Sequence, residues 1–196
     1  MNDTANRLVV GISGASGAIY GVRLLEALSE LGVESHLIVS KAAALTLGQE
    51  TGLSLAEVQA KACVVHKAGD IGASVASGSF KALGMVVAPC SVRTMSEIAT
   101  GVTASLLTRA ADVSLKERRP LVLMVRETPL HLGHLRTMTK LAEMGATIAP
   151  PMPAFYAEPQ TIDDLVNQAV GRTLDIFDLD WARVKRWGRD VGPISE

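Results

Sequence analysis

Cysteine is nearly absent from this sequence: Cys63 and Cys90 are the two among 196 residues. Two thiols so far apart make neither a disulfide framework nor a zinc box, and the apolar residues around both read as reduced, buried thiols of a cytosolic protein. An excess of either charge is lacking too. With 19 Lys and Arg against 20 Asp and Glu the formal net charge is −1, which offers no broad attraction for a polyanion and argues against nucleic-acid or anionic-membrane partners. No stretch reaches the ~18 consecutive apolar residues of a membrane span, and Met1–Asn6 is polar, without the apolar core of a signal peptide. Metal patterns are missing as well: His36, His66, His131 and His134 lack zinc-site spacing, no Asp-Asp-x-x-Asp run exists for magnesium, and Asp163-Asp164 reads as a helix-capping turn. The expectation is a cytoplasmic protein whose site needs no metal.

What is present is globular. Hydrophobic residues make up 48% and charged ones 20%, near the average for a folded domain, and the length suits one domain over 1–196. Arg7–Ile12 is a β-branched run ended by a Gly/Ser turn, and Ile19, Val22, Leu24, Leu25, Leu28 and Leu31 follow at helical spacing as far as Gly32. Further strands are expected at Glu34–Val39, Gly84–Ala88, Leu121–Arg126 and Thr147–Ala149. Helices are expected from Lys41, from Ser54 with Glu57 as a capping box, over Val92–Thr100, Ala104–Lys116 and His131–Met144, and over Thr161–Phe177 with Asp164 completing a second box. This alternation predicts an α/β fold: a three-layer, doubly wound, Rossmann-like (flavodoxin-like) and mostly parallel sheet with helices on both faces. Its ligands belong beyond the carboxyl ends of the strands. The tail from about Asp178, with Trp181 and Trp187, reads either as an arm packing on a neighbouring subunit or as a frayed end.

The first post-strand loop, Gly11-Ile12-Ser13-Gly14-Ala15-Ser16-Gly17, combines small residues with hydroxyls ahead of a helix N-terminus, a pattern suited to a phosphate. It is not a dinucleotide fingerprint: Ser13 replaces the middle glycine, and the next strand ends in Ser40-Lys41 where NAD requires a carboxylate. The absence of a Gly-Lys-Ser/Thr sequence disfavours ATP. A second strand-to-helix turn is Ala88-Pro89-Cys90-Ser91-Val92-Arg93-Thr94. Arg93 there opposes the helix dipole by roughly 0.3–1 kcal/mol, so it either serves an anion or is simply solvated. Cys90 suits a buried thiol better than a nucleophile. Lys116-Glu117-Arg118-Arg119 reads as a solvated helix end, whereas Arg126-Glu127 stands at a strand's carboxyl end, where ligands collect. Tyr156, in the Pro153-Ala154-Phe155-Tyr156 turn, is either a core residue or a presented phenol, with Arg172 on the helix behind it.

Taken in order, the segments G-I-S-G-A-S-G, S-K-A-A, A-S-G-S, P-C-S, R-A-A-D-V-x-L-K-E-R-R-P-L-V-L, R-E-T-P-L and P-A-F-Y resemble the UbiX-type flavin prenyltransferases, from about Arg7 to Trp187. The resemblance implies metal-independent transfer of a dimethylallyl group from dimethylallyl monophosphate to N5 and C6 of reduced FMN. The prenylated FMN would then serve UbiD-type decarboxylases in ubiquinone synthesis or aromatic-acid metabolism. It implies that FMN is held by Gly14, Ala15, Ser16, Ser40, Ser91, Val92, Arg93, Thr94 and Arg126. Lys116, Tyr156 and Arg172 would grip the prenyl phosphate, with Arg109 supporting from a neighbouring subunit. Ser16, Glu50, Lys116, Glu127 and Tyr156 would form the catalytic set, Glu50 and Glu127 handling protons. It further implies a homo-oligomer, commonly a dodecamer, with shared sites. The chain departs from the pattern at Ala104-Ser105, where members often carry Asp or Asn, and at Ile71, where some carry an aromatic. With 4% aromatics, an aromatic cradle for an allylic cation is not expected.

Two rivals differ in class. An FMN-dependent decarboxylase of the cysteine-substrate type would share the fold, but that group is associated with a P-A-S-A-N-T turn where this chain has P-C-S-V-R-T. A non-catalytic flavin carrier would need no second phosphate site, so the set Lys116, Glu127, Tyr156 and Arg172 speaks against it.

Overall fold

The computed structural model describes residues 6–193. The polar stretch read at Met1–Asn6, Asn6 apart, and residues 194–196 of the tail lie outside them. In chain order the elements are β1 (Arg7–Ile12), α1 (Ala18–Glu30), β2 (Glu34–Val39), α2 (Lys41–Thr51), α3 (Leu55–Gln59), β3 (Val64–His66), β4 (Gly84–Cys90), α4 (Val92–Thr100), α5 (Leu106–Lys116), β5 (Leu121–Val125), α6 (Leu132–Glu143), β6 (Ala146–Ile148) and α7 (Ile162–Leu174). The strands form one six-stranded sheet in the order β3-β2-β1-β4-β5-β6, parallel at every pairing. The chain builds outward from β1 to β3 and then crosses back to β4 on the other side of β1. Its topological switch therefore lies between the carboxyl ends of β1 and β4, where an open α/β sheet forms its crevice.

Side-chain alternation along the strands supplies a core for each face. Leu8, Val10, Ile12, Val86, Ala88, Val122 and Met124 join α1 and α7, while Val9, Met85, Val87, Leu121, Leu123 and Val125 join α4, α5 and Leu141 of α6. Each fully buried Leu or Val contributes about 1.5–3 kcal/mol relative to exposure. Helix starts follow the expected chemistry: Ser54 with Glu57 and Thr161 with Asp164 form reciprocal capping boxes.

The sequence reading differs from the structure in local ways. β4 continues two residues past Ala88, because its ladder shifts register around Pro89, which has no N–H to donate, and resumes at Cys90 opposite Val125. The last expected helix ends at Leu174 and closes with a 3-10 turn over Asp175–Phe177. The edge strand β3 went unread because three residues are too short for a periodicity. It also corrects the reading of Cys63: this thiol immediately precedes the edge strand and is exposed, whereas Cys90 is fully buried.

The tail turns back on its own chain. Trp181, 2% exposed, donates its indole N–H to Glu30 at 2.8 Å, and Val184 packs on α7. Gly171 makes that docking possible, since a Cβ there would lie 1.7 Å from Val184 Cγ2. Gly171→Ala is expected to cost about 1–3 kcal/mol through overpacking, read as a lowered thermal midpoint. Adding Val184→Ala should recover part of that loss.

Candidate active site

The post-strand loops at the switch point are tied together by one hydroxyl. Ser13, fully buried, donates its Oγ–H to the carbonyl of Pro89 at 2.9 Å and accepts the N–H of Ser91 at 2.7 Å. That is why a serine stands where a dinucleotide fold has its middle glycine. Gly14 sits against the start of α2, where a Cβ would fall 2.4 Å from that of Ala42; a side chain there would push the two loops apart.

A cavity of about 530 Å³ opens beside these loops, within the range of small-molecule sites. Gly14, Ser40, Ser91, Val92, Arg93, Thr94 and Glu127 line it, so seven of the expected site residues do converge. Two helices start here, α2 capped by Ser40 and α4 by Ser91, each hydroxyl accepting the amide three residues on. Neither has an acidic residue in its first turn. The amides of Lys41, Ala42, Val92 and Arg93 have no intrahelical acceptor, and both dipoles turn their positive ends to the cavity. These residues fit the phosphate of a flavin mononucleotide. Lys41 adds a cation at the wall.

The start of α1 is different. The loop composition suggests an open anion site there, but the carboxylate of Glu50 accepts the N–H groups of Gly17 and Ala18 at 2.8 and 2.9 Å. Gly17, the N-cap, brings no side-chain cap of its own, and Glu50 takes over that task. Partial burial pushes the Glu50 carboxyl up, but hydrogen bonds from Ser16, Ala18 and Gly17 and the charge of Arg126 outweigh it and hold the group below the usual carboxylate range. Arg126 reaches over Gly17 together with Tyr20, a residue missed in the sequence, whose phenol is pushed up by burial against the lowering pull of Arg126. Ser16, Glu50 and Arg126 thus form a second group behind the loop, with Ala15 at its turn.

Other placements refine the reading. Arg93 lines the cavity but spans to Glu97 at 2.8 Å with its side chain 87% exposed, so part of its charge is met along its own helix. Ser105, Leu107 and the Ala68-Gly69 turn also line the cavity. The last two were missed because they follow the unread β3. Cys90 is an inert core residue, its thiol pushed up to about 12 by burial. The histidines pair with each other, His36 with His66 and His131 with His134. Among the described residues no three or more His, Cys, Asp or Glu side chains gather as a metal-ligand set.

Four expected residues are not brought to this cavity within one chain. Arg109 bonds the carbonyl of Ala76 and pairs with Asp112. Lys116 pairs with Glu117 at 2.5 Å beside Gly78. It ends a helix of eleven residues, about 16 Å long, whose start lines the cavity. Tyr156 and Arg172 stand together elsewhere, around Gln168 and beside a smaller cavity of about 240 Å³ that Gln168 and Arg172 line. Neither points into packed interior: Tyr156 is 39% exposed and the Arg172 side chain 59%. Tyr156 meets Trp187 edge to face at 5.8 Å.

Known proteins match this chain in sequence and in fold. The model of the family described as "Flavoprotein" matches residues 1–174. The flavin prenyltransferase UbiX of Escherichia coli K12 is 64% identical over 172 residues, 87% of this chain and 91% of that protein. Among solved structures, AnUbiX (PadA1) in complex with FMN and dimethylallyl pyrophosphate superposes with a TM-score of 0.92 at 49% identity, covering 93% of this chain and 97% of the other. A dodecameric FMN-dependent UbiX-like decarboxylase from Escherichia coli O157:H7 gives 0.90 at 48% identity, covering 92% and 98%.

Because Glu50 is ionised in the folded state below its ordinary range, its stabilising contribution is full above the unfolded carboxylate pKa and fades as pH falls through the folded one. The thermal midpoint of Glu50→Gln is expected to lie below that of the parent at pH 7 and to converge on it toward pH 3. A constant offset across that range would show that the carboxylate charge is not what caps α1.

Proposed function

The chain belongs to the flavoprotein family and, within it, to the UbiX flavin prenyltransferases, and from that premise we propose that it joins a dimethylallyl group to N5 and C6 of reduced FMN with release of phosphate from dimethylallyl monophosphate. The observation that carries the reading is the cavity at the switch point, with two hydroxyl-capped helix starts open to one phosphate and carboxylates at its margin. When bound, the reduced flavin supplies the nucleophilic positions. The protein's task is to hold the acceptor against the allylic carbon and stabilise the departing phosphate.

Ser40, Ser91, Val92, Arg93 and Thr94 take the nucleotide phosphate, while Gly14, Ala15, Ser16 and Arg126 bear on the ring system. Lys116, Tyr156 and Arg172 grip the prenyl phosphate, and charge-assisted hydrogen bonds of ~1.5–3 kcal/mol each offset the leaving group's charge. Since these three lie away from the cavity of their own chain, another copy supplies them, with Arg109 supporting. The exposed apolar side chains Met152 (72%), Phe155 (75%) and Ile162 (79%) around the Tyr156 turn suit burial between copies, in a homo-oligomer of the dodecameric kind. Glu50 acts through Ser16, and Glu127 from the cavity wall, in moving protons. The product passes to a UbiD-type decarboxylase in the cytoplasm.

Incubated anaerobically with reduced FMN and dimethylallyl monophosphate, the protein is expected to yield a flavin heavier by one five-carbon unit in mass spectrometry. Unchanged flavin mass with intact binding would support a carrier instead. Tyr156→Phe and Arg172→Ala should weaken prenyl-phosphate use roughly ten- to hundredfold with FMN retention little changed. Equal loss of both would refute this division of the site.

A further inference from the structure

Lys185 and Arg186, adjacent in the tail, each contact a residue that holds one half of the prenyl-phosphate grip. Gln168 on α7 is 5% exposed. Its side-chain oxygen accepts the N–H of Lys185 at 3.2 Å, and its nitrogen donates to the Lys185 carbonyl at 2.7 Å and to the Tyr156 hydroxyl oxygen at 3.2 Å. The Lys185 backbone fixes which end of the carboxamide is which, because its N–H only donates and its carbonyl only accepts. Both amide hydrogens are then committed. The phenol oxygen is an acceptor on its inner side, and its own hydrogen is left to donate outward.

The neighbouring contact has the same logic. Arg186 donates to one oxygen of Asp175 at 2.6 and 3.2 Å, and Arg172 donates to the other at 2.5 Å. Arg186 is held firmly, its side chain 15% exposed, while Arg172 keeps 59% of its own surface free. One carboxylate therefore ties a fixed guanidinium to a presented one.

We propose that the Lys185–Arg186 segment of the tail is a positioning element for the prenyl-phosphate grip, acting through Gln168 on the direction of the Tyr156 hydroxyl and through Asp175 on the guanidinium of Arg172. This rests on the reading of Tyr156 and Arg172 as that grip. The sequence made the tail an arm for a neighbour or a frayed end; here it acts inside its own chain, and the grip is preset before any substrate arrives. Orientation fixed in advance is not lost on binding, and this raises affinity for the phosphate without adding a contact.

Gln168→Glu separates this from simple packing. It keeps the side chain's size and its acceptor for the Lys185 N–H, but a carboxylate donates neither to the Lys185 carbonyl nor to the phenol, so the phenol must turn and donate inward. The expected result is a KM for dimethylallyl monophosphate raised roughly tenfold with FMN affinity little changed, a thermal midpoint lowered by the lost bond to the Lys185 carbonyl, and no further rise in KM when Gln168→Glu is added to Tyr156→Phe. An equal rise in both backgrounds, or none in the parent, overturns the proposal. Tyr156→Phe with Gln168 intact tests the grip itself, so an unaffected KM there rejects the underlying reading and is told apart from failure of the tail's role. Should Gln168→Glu not fold, Arg186 gives an independent arm. Arg186→Lys is expected to preserve KM, and Arg186→Gln to raise it in the parent but not in Arg172→Ala. A rise in both backgrounds rejects the proposal.

Discussion

The site depends first on the buried hydroxyl of Ser13. β1 and β4 are neighbours in the sheet, but nothing in a parallel ladder dictates how the loops beyond their ends meet. By donating to Pro89 and accepting from Ser91, Ser13 fixes the first residue of the α4 turn relative to the α1 loop. Ser91 is in turn the cap whose side chain orders the α4 amides. A buried hydroxyl with both functions satisfied avoids the desolvation penalty of an unpaired polar group, about 1–3 kcal/mol, so this arrangement is strongly preferred over any in which the loops separate. The cavity at the switch point is the space that the bridge leaves beside it.

The second constraint is the distribution of negative charge around three helix starts. α1, α2 and α4 all begin near the crevice, and each attracts an anion. Glu50 occupies the first, which leaves the other two for a ligand. The same contact gives the protein an ionised carboxylate hydrogen-bonded to Ser16 of the 11–17 loop. A group held below its usual pKa is a weak base, and on the proposed reading its value is positional: it accepts a proton that Ser16 passes on, with Arg126 favouring its charged form.

Much of this was legible in the sequence because the fold repeats one physical motif. Alternating apolar positions gave the strands, Ser54 and Thr161 marked helix starts, and the crevice followed from the parallel order. β3 was lost because three residues at a sheet edge hold no periodicity, and with it went the Ala68-Gly69 wall and the exposure of Cys63. The loop at 11–17 reaches the cavity through Gly14, but the anion at its helix start is one that no local pattern contains: Glu50, 33 residues beyond Gly17. The tail was ambiguous because its anchors, Trp181 to Glu30 and Arg186 to Asp175, are partners set by tertiary packing.

The separation of the two phosphate groups follows from helix direction. A helix that leaves the carboxyl edge of a parallel sheet must return to its amino edge, so residues in its last turn stand as far from the cavity as the helix is long. Lys116 ends α5 beside Gly78, which precedes β4, whereas Arg172 and Gln168 line a separate cavity with Ala149, Pro150, Pro151 and Met152, just past the end of β6 and to the side of the switch point. A single copy of this fold cannot bring Lys116 to its own crevice without unwinding a helix. On the proposed reading, assembly solves the problem that topology creates, by setting the far edge of one chain at the crevice of another. Residues that must act across such a boundary need their geometry fixed before it forms, and the tail's hold on Gln168 and Asp175 supplies that from within each chain.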